Sequence, residues 1–163
     1  MKKLVKSLLV LSFIVLISHK SYAHCEIPCG IYDDELRISL LKEHFSTLEK
    51  SMVQIEEIQK SETVNYNQLI RWVMNKEDHA NKVQEIVYQY FLNQRIKPVE
   101  ANNEKFDKYQ SELTALHHLL IYSMKAKQTT DLAFIKKLRA TLEVFETSYF
   151  EGKHRHNQDG SHQ

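Results

Sequence analysis

The sequence predicts an all-α protein: an antiparallel four-helix bundle with an N-terminal metal-binding hook. Three observations carry that expectation. Helix breakers are scarce, with only 3 glycines and 2 prolines in 163 residues. After Gly30 the body holds one proline, Pro98, and its remaining glycines, Gly152 and Gly160, fall in the last stretch. Apolar residues recur every three or four positions in four separate segments, the spacing of an amphipathic helix. No segment alternates with the period of a strand, and no internal repeat is present.

The elements follow in chain order. Leu41, Phe45, Leu48, Met52 and Ile55 form the seam of a first helix over about Asp34 to Gln59. Leu69, Val73, Lys76, Ala80, Val83, Val87 and Tyr90 continue the stepping in a second, with Lys76 as its one polar interruption. Pro98 closes that segment, because proline disfavours helix in the residue before it. Tyr109, Leu113, Leu116, Leu120 and Met124 mark a third helix, and Leu132, Ile135, Leu138, Leu142, Phe145 and Tyr149 a fourth. Thr130 or Asp131 is placed to cap the fourth. Long helices with short connections favour an antiparallel bundle, here over residues 33–150.

Residues 1–23 have the three parts of a cleavable secretion signal. Lys2, Lys3 and Lys6 make a basic start, Leu8 to Ile17 is apolar but for Ser12, and Ser21-Tyr22-Ala23 offers small residues at the cleavage point. The apolar run is too short for a membrane-spanning helix, which needs roughly 20 residues. Signal peptidase is therefore an expected partner, and the product is expected to be exported, periplasmic, extracellular or lumenal. Stable membrane insertion is not expected. The leader carries four lysines and no acids, so the mature chain has 18 basic against 21 acidic residues, a net charge of −3. That balance gives no reason to expect nucleic acid as a partner. The polar end, 151–163, reads as a flexible tail whose His154, His156 and His162 could collect metal weakly.

Cleavage after Ala23 makes His24 the first residue and gives it a free amine. Amine, imidazole and the thiols of Cys25 and Cys29, the only cysteines of the chain, then lie within His24–Cys29. The amine deprotonates near pH 7.7–8.0, and it can chelate with its own imidazole. The amide N–H between His24 and Cys25 is displaceable by a strongly binding ion, and Pro28 and Gly30 suit a turn that returns Cys29. Thiolates with nitrogen in a plane select Ni(II) or Cu(II) over tetrahedral Zn(II). A Cys25–Cys29 disulfide and a structural zinc half-site are the competing readings, since export leads to an oxidising compartment.

The stretch His24-Cys25-Glu26-Ile27-Pro28-Cys29-Gly30-Ile31-Tyr32 resembles the mature N-terminus of the nickel-containing superoxide dismutases, His-Cys-x-x-Pro-Cys-Gly-x-Tyr. The resemblance extends through Asp33-Asp34, Asn67 to Val73, Lys76 to Ala80 and Tyr90 to Pro98. It implies one nickel ion per subunit, held by the His24 amine and imidazole, the Cys25 amide nitrogen and thiolate, and the Cys29 thiolate. It implies superoxide as substrate, disproportionated to O2 and H2O2 by Ni(II)/Ni(III) cycling. Tyr32 would gate the approach, with Tyr90 a second tyrosine near it, a cis Ile27–Pro28 bond, and a homohexamer of four-helix bundles. In the better-known branch of that family a glutamate of the first helix and an arginine of the second support the imidazole. The matching positions here are Ser39 and His79, so that support is expected to be built differently. His79 reads either as a partner of His24 or as a structural histidine; His44, His117 and His118 read as structural. Arg95 and Lys97 are candidates for steering the anion. The alternative function is an exported nickel or copper carrier without turnover.

Overall fold

The computed structural model describes Pro28, Gly30 and residues 31–151. The leader, His24, Cys25, Cys29 and the tail beyond 151 lie outside the described residues. Helix α1 spans Asp34–Gln59, where the apolar spacing places it. Its cap is Asp33, whose carboxylate accepts from the Leu36 N–H at 2.9 Å, and Asp34 and Glu35 add negative charge at the positive helix end. The whole expected seam is buried, extended by Ile38.

Helix α2 spans Tyr66–Glu85, capped by the Asn65 side chain, which accepts from the Gln68 N–H. It runs directly into a π-helical segment, Ile86–Arg95. The wider turn is closed at its end by the Ile96 N–H on the Phe91 carbonyl at 2.9 Å, and the Gln94 side chain donates to the Gln89 carbonyl. Apolar spacing extended a single helix toward Pro98 but carries no mark of the change in pitch. That change turns Tyr90, Phe91 and Gln94 inward together. π-helical turns are uncommon and concentrate at functional sites.

Helices α3, Phe106–Gln128, and α4, Ala133–Tyr149, complete the set. Helix α1 packs most extensively on α2 and α3 on α4, while α2–α3 and α1–α4 contacts close the bundle. Among the described residues there is no strand, and no helix is long and apolar enough to cross a membrane. The core is one cluster built on Phe45, Phe91, Phe145 and the leucines around them, with Phe91 and Phe145 edge to face at 5.0 Å.

Three expectations need correction. Val73, expected in the α2 seam, is 38% exposed. On α3 the buried stripe is Glu112, Ala115, Leu116, Leu119, Ser123 and Ala126, rotated from the expected line, and Met124 is exposed. Small residues on this face let α3 approach its neighbours closely, so the bulkier Leu113 and Leu120 sit on its flanks. At α4 the cap position is Leu132, neither Thr130 nor Asp131, and it makes no side-chain capping bond; Asp131, one residue earlier, accepts from the Ala133 N–H at 2.8 Å. Thr130 instead donates its hydroxyl to Glu56. The polar interruption Lys76 is buried because its ammonium caps the end of α3, donating to the carbonyls of Ala126, Lys127 and Thr129. Cations at a helix C-terminus meet both unpaired carbonyls and the negative dipole end.

Candidate metal centre and substrate approach

The entry into the bundle begins with a turn. The Pro28 carbonyl accepts from the Ile31 N–H at 2.9 Å, and Gly30 within that turn has φ +86°. A side chain there would meet open space, so glycine is required by backbone conformation alone. The chain thus turns between Pro28 and Ile31, just before the bundle.

Pro28 also borders a cleft of about 240 Å³ between α1 and the α2–π helix, lined by Arg37, His44, Lys82, Glu85 and Tyr90 among others. Ser39 is exposed and is not part of this lining; from α1 it is Arg37, Leu40 and His44 that face the cleft. His44 is paired with His79, their Nδ1 atoms 3.1 Å apart and their rings edge to face. One Nδ1–H donates and the other ring accepts, so the accepting ring must be neutral at Nδ1. Burial holds both imidazoles below the usual histidine range. His79 and Lys82 lower His44 further, against weaker support from Glu43 and Asp78; Lys82 lowers His79 further, against Asp78. The histidine matching the supporting arginine therefore has a partner that no motif announced. His117 and His118 lie together on the exposed face of α3.

Tyr32 follows the turn and is 39% exposed. Its ring meets the edge of Tyr90 at 5.9 Å and lies under the guanidinium of Arg95 at 4.3 Å. The two tyrosines expected near one another are in contact. Arg95 is bonded through Nε and Nη2 to both oxygens of Asp34, at 2.8 and 2.7 Å. Its charge is compensated, which argues against a free steering cation; Lys97 is exposed. Arg37 lies over the other neighbour of Tyr32, the Tyr90 ring, at 5.0 Å, and its buried Nε has no hydrogen-bond partner among the described residues.

Among the described residues no group of three or more His, Cys, Asp or Glu side chains is arranged to hold a metal ion. The ligand set read from the sequence, His24, Cys25 and Cys29, lies outside them. A family model described as nickel-containing superoxide dismutase matches residues 19–153, most of the chain and all of the hook. The chain belongs to the nickel-containing superoxide dismutases. It matches no curated protein and no solved structure. As a nickel superoxide dismutase it is an oxidoreductase with nickel as cofactor and superoxide as substrate. The side chains available before Tyr32 suit that ion, two soft thiolates and an imidazole.

Proposed function

We propose that residues 24–32 form the nickel centre of this superoxide dismutase, and that removal of residues 1–23 creates one of its ligands. His24 supplies its amine and imidazole, Cys25 its amide nitrogen and thiolate, and Cys29 its thiolate, for one ion per subunit. The observation that carries this reading is the family match, which runs through the stretch holding both cysteines of the chain. The turn from Pro28 to Ile31, with Gly30 left-handed, supports it by folding the chain back at the last ligand. Signal peptidase performs the cleavage, the enzyme is exported, and it assembles as a homohexamer; the leader pattern supports the first two and the family resemblance the third.

Nickel, when bound by these residues, would supply the one-electron chemistry by which two superoxide ions and two protons become O2 and H2O2. The residues of the chain have three tasks around it. The cleft beside Pro28 offers the approaching anion the cations Arg37 and Lys82. Among the described residues the Tyr32 hydroxyl is not committed to any hydrogen bond within the bundle, so it can order water and pass protons at the approach. The Tyr32 and Tyr90 rings narrow that approach, which limits contact between peroxide and thiolates that would otherwise oxidise irreversibly.

The test is at the N-terminus. Mass analysis of the exported protein is expected to find His24 first. Inserting one alanine between Ala23 and His24, with cleavage before the new residue, is expected to abolish nickel-dependent turnover while leaving the thermal transition of the bundle in place. Full turnover with the extra residue would sink the amine as a ligand.

A further inference from the structure

Asp34 is the most heavily engaged carboxylate among the described residues. Tyr90 donates its hydroxyl to Oδ1 at 2.7 Å and Tyr149 donates to Oδ2 at 2.9 Å. Arg95 adds its two-pronged bond to the same two oxygens, and its Nε also reaches the Tyr149 hydroxyl. The donors come from the π-helical segment and the end of α4, so one side chain at the start of α1 ties three elements together. Burial alone would raise the Asp34 pKa, but the bonds from Arg95, Tyr90 and Tyr149 outweigh it and hold the carboxyl below its usual range.

None of these bonds reaches Tyr32, yet two of the three donors to Asp34 touch its ring. The Arg95 guanidinium lies over one face at 4.3 Å and the Tyr90 ring meets it at 81°. A guanidinium fixed in plane by a carboxylate fork is an oriented surface, which a point charge is not. Tyr32 sits two residues before Asp34, so backbone and clamp are short and local. The arrangement fixes the ring and leaves the hydroxyl unused by the bundle.

We infer that Asp34 is a positioning residue of this enzyme: through Arg95 and Tyr90 it holds the Tyr32 ring at the substrate approach. The inference rests on the reading of Tyr32 as the residue at that approach. Arg95 then acts by its plane, not by steering superoxide with its charge.

The two roles of Arg95 separate in a pair of variants of the nickel-loaded mature protein. Arg95→Lys keeps the charge and loses the plane; Arg95→Gln loses both. Positioning predicts that both lower kcat/KM by about three- to tenfold, the scale of a missing cation–π interaction. It also predicts an unchanged ionic-strength dependence, and disappearance of the nuclear Overhauser effect between a ring-labelled Tyr32 and Tyr90. Asp34→Asn, which removes the charge organising the fork, is expected to behave likewise. If Arg95→Lys keeps wild-type turnover and the ring-to-ring Overhauser effect while Arg95→Gln loses turnover and its salt dependence, Arg95 is a steering charge and the inference is overturned. A ring-to-ring effect that survives in Asp34→Asn overturns it as well. Should Asp34→Asn prove too unstable, Arg95→Lys alone decides. A Tyr32→Phe variant with full turnover would instead refute the role given to the Tyr32 hydroxyl, and the ring-to-ring effect would still decide whether Asp34 sets the ring.

Discussion

Gly30 shows how much of the hook depends on a single backbone angle. Its φ of +86° is favourable for glycine and costs an L-residue about 1–2 kcal/mol, while the space around it is open. Gly30→Ala is therefore expected to leave the thermal transition nearly unchanged, because the core begins beyond it. It should weaken nickel binding by about 5- to 30-fold, the same energy expressed as a ratio. A nickel titration beside a melting curve checks both halves. Lys76 is the opposite case, a charged side chain whose work is structural. Lys76→Met keeps length and apolar stem but leaves the carbonyls of Ala126, Lys127 and Thr129 without their shared donor. The expected loss is about 2–3 kcal/mol, given the cost of buried unsatisfied groups, or roughly 5–10 °C in Tm for a domain of this size. Calorimetry is the measurement.

At the scale of elements, the α1–α2 contact carries a pH dependence through His44 and His79. Both folded pKa values lie below the unfolded histidine value near 6.5. The unfolded chain then binds protons more readily in that range, so the pair's contribution is complete above about pH 6.5 and is lost as pH falls through the lowered folded values. The charged neighbours are Lys82, Glu43 and Asp78, with Arg37 and Glu85 across the cleft. Melting temperature is expected to fall as pH drops below about 6.5, the unfolded histidine value. His44→Gln, which keeps a hydrogen-bonding partner for His79 but cannot titrate, should flatten that fall; an unchanged slope would mean that other groups cause it.

The elements also show what the sequence could express. The α1 seam and the positions of all four helices were legible because large apolar residues recur at helical spacing. The α3 face was misjudged for the converse reason: Ala115, Ser123 and Ala126 face inward by being small, and apolarity counts only the large. The π-helical segment preserves helical spacing on either side of a change in pitch, so periodicity passes over it. The proposed hook is read from contiguous residues, which lie outside the described ones. Asp34 with Tyr149, and His44 with His79, are brought together across 115 and 35 positions. No local pattern marks such pairs before the helices are packed.

For the whole molecule, the decisive quantity is the field that superoxide meets. With the leader removed, the chain carries 18 basic and 21 acidic residues, so from a distance it repels an anion weakly. Close to the hook that repulsion is offset, because Arg37 and Lys82 border the cleft beside Pro28 against one carboxylate, Glu85. Arg95 adds little, since Asp34 neutralises it. The buried Arg37 Nε is without a partner among the described residues, whereas Lys82 is paired with Asp78 at 2.6 Å, so Arg37 is expected to dominate. Salt near 0.1 M screens charges beyond about 10 Å, acting first on the distant repulsion and more slowly on the cleft. For the native enzyme, kcat/KM is therefore expected to fall only at higher ionic strength, where the attraction is screened too. Arg37→Gln leaves the net repulsion in command: kcat/KM drops at low salt and rises as salt is added, whereas Arg37→Lys keeps the native trend. Stopped-flow or pulse-radiolysis rates across an ionic-strength series read this directly. A glutamine variant with the native salt profile would place the guiding charge elsewhere.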